Sequence, residues 1–186
     1  MSVQLQKHYF NVDEYYRMGQ AGVLSEDQRV ELIEGEVVET SPIGSTHQGC
    51  VDELSSLIAE KMGASVIVRV QGPIHIDEYS EPQPDISLLK PRSDFYRRSH
   101  PTPSDVLLVI EVADTSIEYD RSVKLPLYVR AGIPEAWLIV LPKDLIEVYC
   151  EPKNGKYQKA RRLKRGKVFS SATINGLTLK VDDILG

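Results

Sequence analysis

The sequence predicts a mixed α/β fold, a central β-sheet flanked by helices with a C-terminal β-hairpin, on three observations. Residues 106–112 (VLLVIEV) are almost wholly apolar, the composition of a strand covered on both faces. Val51, Leu54, Leu57, Ile58 and Met62 recur at spacings of three and four, which describes a helix with one buried stripe. Asn154-Gly155 lies between two β-prone runs, the strongest short signal for a hairpin. A chain of 186 residues, 41% hydrophobic and 26% charged, can bury about 70% of its unfolded surface without disulfides or a structural metal. Residues 1–186 are therefore read as one domain.

Each element follows in order. Val12, Tyr15 and Tyr16 sit at helical spacing behind Asn11, and Asp13 and Glu14 suit a first turn, so a short helix is expected over 11–20. Ser25 with Gln28 three residues on has the layout of a second cap, predicting a short helical turn, and VELIEGEVVE, with Gly35 inside it, predicts a strand or hairpin. The striped helix spans 46–62 and ends at Gly63. SVIVRVQGPIHI is β-prone but broken by Gly72-Pro73, and PDISLL is another strand, with Asp85 in it. Three prolines make 91–105 a surface loop. After the apolar strand, a helix over 117–131 must place Pro126 early or kink there, and Gly132 closes it. WLIVL, the hairpin arms 145–149 and 157–163, and a last strand near 177–181 complete the order.

Charge and cysteine content narrow the function. The net charge of −5 gives no overall attraction for polyanions, so any nucleic-acid contact must be local. Two basic stretches, 90–98 (KPRSDFYRR) and 159–167 (KARRLKRGK), could supply it, or could simply be solvated. Cys50 and Cys150 form no CxxC pair, which suits a reducing compartment. The sequence has neither an apolar run of membrane-spanning length nor a signal-peptide layout, so a cytoplasmic protein without membrane association is expected. There is no GxSxG elbow, GxGxxG turn or GxxxxGK[ST] loop, which disfavours serine hydrolases and nucleotide cofactors.

Two acids stand out. Glu111 lies inside the most apolar segment and Asp85 follows Pro84 in a short strand, so both are expected to be partly buried. A buried carboxylate must be paired or bind metal. If the two are neighbours they repel, and a divalent cation would resolve the repulsion, with hard oxygen ligands suiting Mg2+ or Mn2+ better than zinc. The alternative is a salt bridge from one of them to Lys124 or Arg69. Lys124, near the start of the following helix, could lean back over the strand of Glu111 and stabilise charge on a phosphate, or could be a surface lysine.

The stretches VELIEGEVVE, His47 opening the long helix, VQGPIHI, EPQPDISLL, VIEVADTSIEYDRSVKLPLYVRAGIPEAWLIV and IEVY resemble, in order and over nearly the whole chain, the Uma2 family of restriction-endonuclease-like proteins. That family is assigned to the PD-(D/E)XK nuclease superfamily. The resemblance implies a restriction-endonuclease-like core and a Mg-dependent (or Mn-dependent) endonuclease. Asp85 would be the first acid of the motif and Glu111 the second, with the Val112 carbonyl completing the metal ligands. The lysine expected two residues after the glutamate is Ala113 here; in this family it appears relocated to the next helix, in a pattern that reads Asp120, Lys124, Tyr128 and Gly132. Lys124 is thus the expected catalytic lysine.

The resemblance also implies Glu31, with Glu34 second, as a further acid, and Gln71 and His47 as contacts to substrate. Loop 90–98 is expected to bind nucleic acid, DNA being the reading carried forward, through Arg97 and Arg98, with Phe95 and Tyr96 available for stacking. A homodimer is expected, through an apolar patch on the hairpin 145–163 or on the N-terminal helix with Tyr15, Tyr16 and Met18. The competing expectation is a catalytically silent nuclease-like module.

Overall fold

The computed structural model describes residues 6–25, 27–40 and 42–186, which divide into two compact units. The first comprises Met1–Pro42 and His75–Pro82, the second Ile43–Ile74 and Gln83–Gly186. Among the described residues no helix is long and apolar enough to cross a membrane.

In the first unit, α1 (Val12–Gln20) starts as expected at Asn11. The Asn11 side chain accepts the Glu14 N–H at 2.8 Å while the Glu14 carboxylate accepts the Asn11 N–H at 3.0 Å, so two otherwise orphaned donors are satisfied reciprocally. Ser25 and Gln28 do bond each other, the Ser25 N–H donating to Gln28 Oε1 at 2.8 Å, but the chain turns and no helix follows. Glu26, inside that expected turn, lies outside the described residues. β1 (Val30–Ile33) and β2 (Glu36–Glu39) form an antiparallel hairpin whose turn residues, Glu34 and Gly35, have φ of 51° and 81°. A side chain at position 35 would meet Tyr9 Cβ at 2.6 Å, so glycine is required there on two counts.

In the second unit, α2 (Ser45–Met62) ends at Gly63, φ 51°. A six-stranded sheet follows: β3 (Ile67–Val70), β4 (Ile86–Leu89), β5 (Val106–Ala113), β6 (Glu135–Val140), β7 (Leu145–Lys153) and β8 (Lys156–Lys164), paired in that order. Every pairing is antiparallel except β5 with β6, which is parallel. A parallel pair needs a crossover, and residues 117–130 provide it.

That crossover is expected as one helix. It is built instead as α3 (Ile117–Tyr119), a π-helical turn over Asp120–Lys124, and α4 (Leu125–Arg130). Pro126 has no N–H to donate one turn back, and the chain widens just ahead of it, where the Leu125 N–H reaches Asp120 O.

Alternation along the strands sorts the core. Leu108, Ile110 and Val112 of β5, with Trp137 and Ile139 of β6 and Ile146 and Val148 of β7, pack with Val51, Leu54 and Ile58 of α2. Glu111 and Glu147, in register with Leu138 between them, are on the opposite face. The Asn154-Gly155 turn has φ of 52° and 69°, both left-handed as the two-residue hairpin requires. This hairpin extends the central sheet and is not an appendage. The apolar residues of β7 are in the core and the exposed residues of β8 are largely charged, so the expected apolar patch on 145–163 is absent. Beyond it, β9 (Val168–Ser170), which the sequence did not reveal, pairs antiparallel with β10 (Thr178–Lys180), and α5 (Asp182–Leu185) follows.

Candidate active site

Asp85 sits one residue before β4, not within it. Ile86 is in register with Ile110, which sets Asp85 beside residues 111 and 112 of β5. Its carboxylate Oδ2 accepts the Val112 N–H at 2.9 Å and lies 3.1 Å from His47 Nε2, in the first turn of α2. Its backbone N–H points to Glu111 Oε2 at 3.4 Å, and its carbonyl accepts the Gln71 N–H at 2.9 Å. Both side chains of the His47–Asp85 pair are largely shielded, 15% and 13% exposed. Burial works to raise the Asp85 pKa, but the bond and charge of His47, the Val112 N–H and the Lys124 charge outweigh it and hold the carboxyl below its ordinary value.

Glu111 is deeper. Lys124 Nζ lies 2.8 Å from its Oε1, and the Tyr128 hydroxyl donates to the same oxygen. The Lys124 and Glu111 side chains are 6% and 4% exposed. The salt bridge set against metal binding in the sequence reading is therefore present, made by Lys124; Arg69 is turned instead toward the Phe95 carbonyl and the Tyr96 ring. The π-helical turn explains how a helix lysine gets there. Lys124 closes that turn and Tyr128, four residues on, falls on the same side of the following helix, so both reach one carboxylate.

Two carboxylates, two cationic-type side chains and a hydroxyl thus converge at one end of the paired strands β4 and β5. The profile of the Uma2 family, described as a putative restriction endonuclease, matches residues 12–182. The chain belongs to the Uma2 family. Its fold is similar to that of a crystal structure described as a putative nuclease belonging to DUF820 from Anabaena variabilis ATCC 29413. The TM-score is 0.72 at 15% identity, over 95% of this chain and 97% of that one, so the fold is what the two share. No curated protein matches.

In this Uma2 chain Asp85, Glu111, Lys124 and His47 are brought together, with Gln71 bonded to the Asp85 backbone. Gln71 has φ 47°, a strained value for a residue other than glycine, and its Nε2 is buried with no hydrogen-bond partner among the described residues. Val112 takes part through its N–H. Glu31 belongs to the first unit, where it is buried on β1, whereas Glu34 is exposed in the turn.

Arg97 and Arg98 are not brought to the carboxylates. They follow the C-terminal end of β4 whereas Asp85 precedes its N-terminal end, and the four residues of β4 alone span about 13 Å. Tyr96 is not free to stack on a ligand: it is buried, with the Arg92 guanidinium 3.9 Å from its ring centroid. Tyr128 is the site residue to which the sequence reading gave no role, although its spacing of four from Lys124 was the available signal.

The donor chemistry fits a hard cation. Asp85 and Glu111 offer carboxylate oxygens, and Asp85 Oδ1 takes no hydrogen bond from the described residues. No group of three or more His, Cys, Asp or Glu side chains forms a metal cage among them. Mg2+ is commonly held by one or two carboxylates with waters completing its shell, so this pair suits it.

Proposed function

We propose that the chain, as a single Uma2-like PD-(D/E)XK nuclease domain over 1–186, is a metal-dependent endonuclease that hydrolyses phosphodiester bonds of nucleic acid, DNA foremost. The observation that carries this is the meeting of Asp85, Glu111 and Lys124 in one shielded patch. The description of the family as a restriction endonuclease and that of the Anabaena protein as a nuclease support it.

In this reading Asp85 and Glu111, with the Val112 carbonyl, hold Mg2+ or Mn2+. When bound, such an ion lowers the pKa of a water and neutralises charge on the scissile phosphate. His47 and the Gln71 N–H fix Asp85, Tyr128 orients Glu111, and Lys124 contributes positive charge toward the phosphate and positions the attacking water. Glu31 is a further acid of the reading, with Arg97 and Arg98 on more distant phosphates. The protein acts in the cytoplasm as a homodimer; a light-scattering mass near the 20.9 kDa of one chain would count against the dimer.

The test is incubation of the protein with supercoiled DNA, single-stranded DNA and RNA in Mg2+ or Mn2+. Nicking that disappears in Asp85→Ala supports the reading, and its absence from the native protein on every substrate sinks it. Calorimetry of Glu111→Gln adds a direct check: Mg2+ binding is lost, and unchanged binding removes Glu111 as a ligand. The second reading, a silent nuclease-like module, is favoured by Ala113 at the expected lysine position and by the Lys124 charge already engaged with Glu111.

A further inference from the structure

Loop 90–98, at the other end of β4, is stiff for a surface loop. Arg92 forks onto Asp94 and covers the Tyr96 ring. The Tyr96 hydroxyl donates to Lys90 O at 2.8 Å, and the Tyr96 N–H to Asp94 Oδ1 at 3.2 Å. Arg69 Nη2 reaches the Phe95 carbonyl at 3.5 Å. All of this holds two consecutive non-glycine residues in the left-handed region, Phe95 at φ 50° and Tyr96 at φ 58°. Such strain persists only where the surroundings enforce it.

The result is that Tyr96 is buried and Phe95 is thrust outward, 61% exposed. Phe95 lines a groove of about 500 Å³ together with Ala64, Ile67, Val68, Pro91 and Arg92. Lys90, Arg97 and Arg98 are exposed on the same loop, and among the described residues Arg97 and Arg98 make no ion pair. A largely apolar groove lined by an exposed aromatic, with Arg97 and Arg98 exposed on the same loop, on a chain of net charge −5, is complementary to an unpaired base with phosphates beside it. A second copy fits poorly, because twofold pairing would set these arginines against themselves.

We propose that this groove holds an unpaired nucleobase stacked on Phe95, with Arg97 and Arg98 on the adjoining phosphates, so that the favoured substrate carries a single-stranded segment beside the cleavage point. The proposal rests on the nuclease reading for its substrate class and adds where the strand is gripped. The grip lies at the opposite end of β4 from Asp85, a strand about 13 Å long.

Binding measured in EDTA separates this from catalysis. The probes are a fluorescein-labelled thymidine 12-mer and a blunt duplex of equal length, followed by anisotropy. The native protein should prefer the single strand. Phe95→Ala should weaken single-strand binding by about 5- to 150-fold with little change for the duplex. Phe95→Trp should bind as the native protein does and Phe95→Leu should not, which separates stacking from mere apolar bulk. Replacing Arg97 and Arg98 together should reduce the single-strand salt slope by about 1.4. Equal single-strand affinity in Phe95→Ala, or native affinity in Phe95→Leu, overturns the proposal. Phe95-dependent binding in a protein that never nicks DNA would instead leave this grip standing and fail the nuclease reading.

Discussion

Glu111 and Glu135 are both buried glutamates, on the neighbouring strands β5 and β6, and they face opposite sides of the sheet. Glu135 is saturated by neutral donors. Its Oε2 accepts the Ser171 hydroxyl at 2.6 Å, the Ala172 and Thr173 N–H groups at 2.9 and 3.0 Å and the Thr173 hydroxyl at 2.9 Å. Its Oε1 accepts the Trp137 indole N–H at 2.7 Å. Glu111 faces a lysine, a tyrosine and the backbone of a second acid. Burial does not separate a structural acid from a chemical one; the neighbours do. Glu135 is enclosed by donors that its own chain fixes in place, while Glu111 belongs to a charged cluster, the one that the proposed nuclease reading assigns to an ion.

The largest effect expected is on stability: Glu135→Ala leaves the Ala172 N–H and the Trp137 indole without their acceptor and should cost about 3–5 kcal/mol by denaturant unfolding. An equal loss in Glu111→Gln would erase the distinction. Next is Lys124→Ala, which should retain Mg2+ binding by calorimetry and lose cleavage by about 10²–10³-fold. Full activity in that variant would reduce Lys124 to a structural counterion.

The smallest effect concerns Glu147, a third buried acid. Burial tends to raise its pKa, but the Tyr149 hydroxyl and the charges of Arg121 and Arg162 prevail and set it below the ordinary 4.5. Its contribution to stability is therefore complete above 4.5 and is lost as pH falls through the lower folded value. Stability measured between about pH 5 and pH 3 should fall less steeply in Glu147→Gln than in the native protein, and parallel curves would remove the group from the acid limb.

Most of the fold was legible because its signals are local. The stripe on α2, the Asn11 cap, the apolar run of β5 and the Asn154-Gly155 turn each specify their element within a few residues. β9 was not legible: it is three residues long, VFS, and exists through pairing with the equally short β10, across a loop that carries no two-residue turn signal. Asp85 and Glu111 were legible as acids out of place. The split of 117–130 around a π-helical turn was not, since Pro126 announces a disturbance without specifying its geometry. Phe95 and Tyr96 looked equivalent in sequence, and which aromatic turns outward is decided by Arg92 and Asp94 acting together.

The sheet also ends in a way that bears on handling the protein. β8 is a nine-residue border strand in which Lys156, Lys159, Arg161, Arg162 and Lys164 crowd a side that carries no further strand among the described residues. Lys159 and Arg162 are paired to Glu151 and Glu147 of β7, yet the row as a whole stays cationic and solvated. A strand so long would otherwise be a template for aggregation, and like charge along it repels a matching edge from another molecule. Concentrated salt screens that repulsion, and replacing the row's lysines and arginines with threonine should raise the tendency to aggregate, read by light scattering.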